Sequence, residues 1–408
     1  MRKQKILVQK YGGASLSDAN QIRDIALKIS QLHAGDYGLI IVVSAMGQAT
    51  DALISLAYQV SPHPNRRELD MLVSTGERVS MSLMSMAIND RQCKAISLTG
   101  SQAGVLTDDA HSSARIIDLK PIRIESELNK NTVVIIAGFQ GVSPNSKEIT
   151  TLGRGGSDTT AVAFAAYFKA ERCEILKEVP GVFSADPNSI KEAELISKLH
   201  YLQLLDMTYW GAKVLHYRSV ELAYLLKIPI KIALAHDNGE GQSTIIDGET
   251  TMFEQARILS VNSHKEVRWI EVAKTDLNSA IQEFFSMLKE ESLPSPQILD
   301  TERRIASFAI LITAPNEQLN SILQACLRTK RARFETTELS TVSVTCKGSY
   351  ASTLPDEICS HLGRKKIATY KLLLSAMSLS VIVDAKERER TIQSVHEIRD
   401  GSLPDERE

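Results

Sequence analysis

Thr151-Leu-Gly-Arg-Gly-Gly-Ser-Asp-Thr-Thr160 sets three glycines, one arginine, one carboxylate and four hydroxyls between two apolar segments. Glycines at 153, 155 and 156 allow a sharp turn and bring backbone N–H groups against a ligand with no Cβ in the way. Arg154 offers a planar fork suited to a carboxylate or a phosphate. The segment that follows, Thr159-Thr-Ala-Val-Ala-Phe-Ala-Ala-Tyr167, reads as a helix. Ser157 and Asp158 then fall near its N-terminus, where the helix dipole favours negative charge. On this stretch alone two readings stand side by side: a loop that handles anions, and a glycine-rich surface turn whose Ser157 or Asp158 is an ordinary helix cap.

A second feature separates them. Lys5-Ile-Leu-Val-Gln-Lys10 reads as a buried strand that runs directly into Tyr11-Gly12-Gly13-Ala14-Ser15 and then a helix from about residue 18. A lysine at a strand's end, followed by a Gly-Gly turn, points an ammonium group at phosphate oxygens. The pattern is neither Gly-x-x-x-x-Gly-Lys-Ser/Thr nor Gly-x-Gly-x-x-Gly. Alone, Lys10 reads as a solvated strand-end lysine; with the 151–160 loop it becomes one half of an anion site.

Apolar runs alternate with amphipathic stretches along the chain. Strands are expected at 5–10, 38–44, 93–98, 132–137, 173–178 and 228–234, and helices at 18–33, 49–59, 76–89, 113–128, 158–169 and 200–226. Strands separated by helices predict an α/β fold, a three-layer and mostly parallel sheet with helices on both faces. In such sheets the loops at the carboxyl ends of the strands hold the ligand. The loops after 5–10, 38–44 and 132–137 carry Gly12-Gly13, Ser44 to Gly47 and Phe139-Gln-Gly141, so the small-residue chemistry gathers on one edge.

At 408 residues the chain exceeds the size of one core, so two or three domains are expected. Hydrophobic residues at 43% and charged residues at 24% are globular values, and a formal net charge of −2 argues against a nucleic-acid partner. Five scattered cysteines form no Cys-x-x-Cys pair and fit reduced thiols in a cytoplasm; no metal site is expected from them. No basic region precedes an apolar stretch at the N-terminus, and no uncharged apolar run reaches membrane-spanning length, so no membrane role is expected.

The two loops and the segments between them resemble the aspartate kinases of the amino acid kinase superfamily. Lys10-Tyr-Gly-Gly-Ala-Ser15 matches that family's Lys-Phe-Gly-Gly-Thr-Ser opening, departing at Tyr11 and Ala14. Val42-Val-Ser-Ala-Met-Gly47, Leu72-Val-Ser-Thr-Gly-Glu-Arg78, Ala137-Gly-Phe-Gln-Gly141 and Gly211-Ala-Lys-Val-Leu-His216 are further family blocks in the family order, and similarity runs through roughly 5–245. The resemblance implies an amino acid kinase catalytic domain over 1–250 that makes 4-phospho-L-aspartate from L-aspartate and Mg-ATP, the entry step toward lysine, threonine and methionine. By resemblance, Lys10 and Asp158 are catalytic, Lys10 on the transferring phosphoryl group and Asp158 holding Lys10. Arg154 takes the acceptor's α-carboxylate and Glu77 its ammonium, with Ser44, Thr50, Phe139 and Ser157 as supporting contacts. Lys10, Gly12, Gly13, Lys177, Glu178, Phe183 and Lys213 form the nucleotide side, and Mg²⁺ accompanies the ATP without a dedicated protein metal site. Residue by residue, a structural role competes for several of these: Glu77 is also a first-turn helix glutamate, and Lys213 a lysine near a helix start.

Departures from the family pattern cluster at the nucleotide end. In Glu174-Ile-Leu-Lys-Glu-Val-Pro-Gly-Val-Phe-Ser-Ala-Asp-Pro187, Lys177-Glu178 stands where Thr-Asp is usual, and Asn188 replaces an arginine. Beyond 255 the pattern of short strands and helices, with a strand from 259, a helix over 277–289 and strands at 308–313 and 378–383, fits two small α+β units. The resemblance assigns 256–408 to a diverged tandem ACT-like regulatory and oligomerisation region, with lysine or threonine as effector, a homodimer or larger homo-oligomer, and no fused dehydrogenase. Two other readings stay open from sequence: a related kinase with a different carboxylate substrate, and a catalytically weak amino-acid-binding regulatory subunit.

Overall fold

The strand Lys5–Tyr11 is buried from Leu7 onward and sits near the middle of an eight-stranded sheet. The computed structural model describes residues 5–35, 37–237, 241–248, 258–290, 293, 295–314, 316–334, 338–346, 353–375 and 377–399. Contacts divide the chain into two units, one of Met1–Phe183, Glu194–Thr208 and Lys213–Met252, the other of Ser184–Ala193, Tyr209–Ala212 and Phe253–Glu408.

In the first unit the sheet order is Lys198–His200, Ser243–Asp247, Ile230–Leu234, Cys173–Lys177, Lys5–Tyr11, Tyr37–Val43, Val133–Ala137 and Ala95–Leu98. All neighbours are parallel except Ile230–Leu234 with Ser243–Asp247. Strands this apolar are buried on both faces, as a parallel sheet requires. Leu7, Tyr11, Leu39, Ile41, Val43, Val133, Ile135 and Ala137 point to one face, where they pack with Ile22, Ile25 and Ile29 of helix Ala19–His33 and with Met81, Met84 and Ile88 of helix Thr75–Asn89. The period of two sends Val8 and Lys10 to the other face, which helix Gly156–Tyr167 covers. That helix is apolar nearly all round, and every residue from Gly156 to Ala165 is buried.

Two expected helices are corrected. The stretch 113–128 is not one helix: Ile116–Leu119 is a strand paired with Val105–Thr107, and only Ile122–Asn129 is helical. Pro121 disfavours helical backbone at the residue before it and so sets the boundary. The stretch 200–226 is two helices, Tyr201–Tyr209 and Tyr217–Leu226. Gly211, at φ +103°, breaks the run, and a Cβ there would lie 2.3 Å from Ser263 O. A small sheet that sequence reading missed runs Ile116–Leu119, Val105–Thr107, Gln140–Val142 and Ile149–Thr151.

The second unit is a seven-stranded sheet built on the 15-residue strand Ile258–Val272, which pairs antiparallel with Phe308–Thr313, Ala332–Phe334 and Leu339–Cys346. Helices Leu277–Glu290 and Asn316–Thr329 cover one part of it, and Leu354–Arg364 and Arg388–Arg399 the other. The expected elements at 259, 277–289, 308–313 and 378–383 appear as Ile258–Val272, Leu277–Glu290, Phe308–Thr313 and Ser378–Asp384. Among the described residues no helix is long and apolar enough to cross a membrane.

The first two strand-end loops meet with almost no clearance. Gly13 O accepts the Gly47 N–H at 2.9 Å, and a Cβ on Gly13 would lie 2.6 Å from Ala45 O and 3.0 Å from Gly47 O. Both obstacles are backbone and cannot swing aside. Gly13→Ala is therefore expected to cost about 1–3 kcal/mol, read as a lower urea midpoint at unchanged slope. An unaltered midpoint would show that the loops separate freely.

Candidate functional site

Parallel register brings the carboxyl ends of four strands side by side. Tyr11 pairs with Val43 and with Leu176, and Val43 pairs with Ala137. The residues that follow these positions therefore share one edge: Gly12-Gly13, Ser44-Ala45, Gly138-Phe139 and Lys177. Gly12 N donates to Leu176 O at 3.1 Å and Ser44 N to Tyr11 O at 3.2 Å, which holds the loops in step.

Lys10 and Asp158 lie at the centre. The Lys10 ammonium approaches Asp158 Oδ1 to 2.6 Å, with each side chain 7% exposed. At that distance the contact is a buried, charge-assisted pair between ammonium and carboxylate. Asp158 sits in the first turn of helix Gly156–Tyr167, whose N-cap Gly155 adopts φ +70°. Only a residue without Cβ fits there, because a Cβ on Gly155 would fall 2.1 Å from His216 Cβ. Burial, followed by the Arg218 guanidinium, pushes the His216 pKa below that of a free histidine. A neutral imidazole suits its position, accepting the Arg218 N–H at 3.4 Å as cap of helix Tyr217–Leu226.

The remaining loops close on this pair. Phe139, at φ +68°, accepts the Leu152 N–H at 2.8 Å and lies against Gly156, where an added Cβ would meet its ring at 3.0 Å. Gly138 lies under Ser157, 2.7 Å from its Oγ by the same measure. Lys177 is on the same face as Lys10, one step further toward the edge, since Lys10 pairs with Ile175. Its ammonium donates to Val214 O. Burial pushes the Lys177 pKa below the lysine range; Asp158 opposes that shift and the Lys10 charge adds to it.

Glu77, 3% exposed, enters from the first turn of helix Thr75–Asn89. Its Oε1 accepts the Ala45 N–H at 3.2 Å, and its Oε2 is buried without a hydrogen-bond partner. Burial raises its pKa to about 7, against lowering by its own and the Ala45 backbone N–H groups. Ser80 Oγ of the same helix donates to Ser44 O at 2.7 Å, fixing the helix to the strand end. A buried carboxyl with an idle oxygen is an acceptor waiting for a cation.

Of the expected site residues, Lys10, Gly12, Gly13, Ser44, Glu77, Phe139, Ser157, Asp158 and Lys177 thus gather at one edge. Thr50 is half-buried on the first turn of helix Ala49–Val60, Arg154 is exposed at the tip of its loop, Glu178 is exposed, Phe183 is half-buried in the short strand Val182–Phe183, and Lys213 is exposed in the link between two helices. Asn188 bonds Asp186 Oδ1 through both its backbone and side-chain nitrogens at 2.9 and 3.0 Å. Sequence reasoning passed over His216 and Asp70; the only signal for Asp70 was a carboxylate inside the apolar run Leu69 to Val73.

The arrangement offers two lysines, Lys10 and Lys177, for an anion and the Glu77 carboxyl for a cation at one sheet edge. Residues 5–233 match the model of the amino acid kinase family. An aspartokinase of Geobacillus stearothermophilus is 34% identical over 396 residues, spanning 96% of each chain. An aspartokinase of Mycobacterium tuberculosis is 47% identical over 243 residues, 60% of this chain and 57% of that one. In fold, the chain matches the crystal structure of Escherichia coli aspartokinase III in complex with aspartate and ADP, with a TM-score of 0.79 at 20% identity over 96% of this chain and 99% of that one.

The raised Glu77 pKa gives a stability prediction. The folded protein keeps a proton that the unfolded chain releases near pH 4.5, so this residue's contribution to stability falls as pH rises from 4.5 to about 7 and is flat above. Glu77→Gln is expected to unfold later in urea than the parent at about pH 8, by on the order of 3 kcal/mol, and to match it at about pH 4. Equal stability of the two proteins at both pH values would contradict the placement of the carboxyl.

Proposed function

Because the chain belongs to the amino acid kinase family, and within it to the aspartokinases, we propose that the strand-end site positions aspartate and ATP through the residues gathered there. The enzyme transfers the γ-phosphoryl group of ATP to the side-chain carboxylate of L-aspartate, giving 4-phospho-L-aspartate and ADP. A carboxylate oxygen attacks the γ-phosphorus while the bond to the ADP oxygen breaks, and no proton moves. Such a step needs alignment and positive charge more than covalent help.

The observation that carries the assignment of roles is the buried Lys10–Asp158 pair at the crossing of sheet edge and glycine-rich loop. Lys10 meets the transferring phosphoryl group, where negative charge spreads over the equatorial oxygens, and Asp158 holds the ammonium at that point. Gly12 and Gly13 let the backbone approach the nucleotide phosphates. Lys177 and Lys213 add positive charge on that side, and Glu178 and Phe183 border it. Magnesium supplies charge neutralisation when it arrives with ATP. Among the described residues no group of three or more acidic, histidine or cysteine side chains forms a cage; in this reading phosphates and water would hold most of the ion's coordination. Asp158 is the buried carboxylate of this site that would face it.

On the acceptor side, Arg154 receives the α-carboxylate as a two-pronged donor. Glu77 receives the ammonium group, whose charge favours the ionised carboxyl. Ser44, Thr50, Phe139 and Ser157 border the same pocket. The 256–408 region serves as an ACT-like regulatory and oligomer-forming part that takes lysine or threonine as effector, and the enzyme works as a homo-oligomer in the cytoplasm at the head of lysine, threonine and methionine synthesis. Five free cysteines accord with a reducing compartment.

Trapping the acyl phosphate with hydroxylamine tests the reading. Lys10→Ala is expected to lose at least about 10²-fold in kcat while keeping its circular dichroism, and Arg154→Ala to raise KM for aspartate with little change for ATP. Normal turnover by folded Lys10→Ala would refute the assignment.

A further inference from the structure

Asp70 has no part in the chemistry above, yet it is 0% exposed in helix Arg66–Val73. A carboxylate so far from water persists only where donors surround it. Its Oδ1 accepts the Thr151 hydroxyl at 2.6 Å, and its Oδ2 accepts the Thr151 N–H at 3.0 Å. The Ser112 N–H reaches both oxygens at 3.1 Å, and His111 Nδ1 lies 2.8 Å from Oδ2. Because an ionised carboxylate only accepts, Nδ1 carries the proton.

The partners show what the carboxylate fastens. Thr151 is the last residue of strand Ile149–Thr151 and the first of the loop that carries Arg154. Its carbonyl accepts the Ala114 N–H at 2.9 Å, so the start of the loop is tied on both sides. At the other end of the Asp70 helix, Ser74 N donates to Asp70 O at 3.1 Å, and Ser74 O accepts Gln140 Nε2 at 2.8 Å. Helix Thr75–Asn89, with Glu77 in its first turn, begins at the next residue. Gln140 and Thr151 are paired across the small sheet. Asp70 therefore holds Thr151, three residues before the loop arginine, and itself stands seven residues before Glu77.

We infer that Asp70 is a positioning residue of the acceptor site, fixing the separation of Glu77 and Arg154 and so selecting acceptors whose ammonium and carboxylate groups are spaced as in an α-amino acid. The inference rests on the acceptor roles proposed for those two residues. Asp70→Asn turns an amide N–H toward groups that are themselves donors and loosens the loop's anchor. The loss falls on aspartate and spares the nucleotide side, which is built on different strands.

The full-length enzyme decides it through KM for aspartate, kcat, and the dissociation constant of ADP measured by calorimetry. Folded Asp70→Asn is expected to raise KM for aspartate about tenfold with ADP affinity within about twofold. Thr151→Val, which removes one donor and tests the point even if Asp70→Asn does not fold, is expected to raise it about threefold, and Thr151→Ser to restore it. A parent-like KM for aspartate in folded Asp70→Asn or in Thr151→Val, or equal weakening of aspartate and ADP, would overturn the inference. Failure of the underlying acceptor reading has a different signature: no aspartate-dependent product from the parent enzyme.

Discussion

Two nearly dry opposite charges, Lys10 and Asp158, 2.6 Å apart, set the terms for everything around them. Either charge left alone at that depth is expensive, and removing one partner of such a pair typically costs about 3–5 kcal/mol. Lys10 belongs to a central strand and Asp158 to the helix that covers it. Helix Gly156–Tyr167 is apolar on nearly every side, so hydrophobic packing alone gives it little preference for one rotation about its axis over another. The charge pair supplies that preference. Once Asp158 is fixed, the glycine-rich loop that opens the helix has to close over the edge of the sheet, and Arg154 goes with it.

Closing that loop demands backbone contacts too tight for side chains. Gly155 takes a left-handed conformation against His216, and Gly156 packs against Phe139, itself at positive φ. Gly13 sits on the carbonyls of Ala45 and Gly47. The glycines are the means by which four strand ends, a loop and two helices reach one small region. A site assembled this way is stiff before substrate arrives, which is what a reaction dependent on alignment and fixed charge requires. Glu77 shows the same economy: it is buried with one oxygen unmet and a pKa near 7, and the acceptor's ammonium group completes it.

The parallel core was legible because its physics is local. Buried parallel strands are short apolar runs closed by glycine or polar residues, and the runs expected at 5–10, 38–44, 132–137, 173–178 and 228–234 became Lys5–Tyr11, Tyr37–Val43, Val133–Ala137, Cys173–Lys177 and Ile230–Leu234. The sharing of one edge by Gly12, Ser44 and Phe139 followed from that. What escaped was set by contacts distant in sequence. The three-residue strands Val105–Thr107, Gln140–Val142 and Ile149–Thr151 carry too little pattern to register. The helical periodicity of 200–226 ran straight through Gly211, whose break answers to Ser263. Asp70 drew no reading from sequence because its partner Thr151 lies 81 residues away. Lys177, a departure from the family pattern, was expected on the nucleotide side; its hold on the Val214 carbonyl was not visible from its neighbours in sequence.

The central claim is that Lys10 and Asp158 act as one unit, and a double-mutant cycle on turnover tests it most directly. Hydroxamate formation from aspartate would be compared among the parent, Lys10→Met, Asp158→Asn and the double variant, each confirmed as folded. If Asp158 works by holding Lys10, the double variant turns over no more slowly than Lys10→Met, because the second loss is already contained in the first. Losses that multiply, with the double variant slower than Lys10→Met by the full factor of Asp158→Asn, would mean that the two residues act independently and that the pair is not what organises the site.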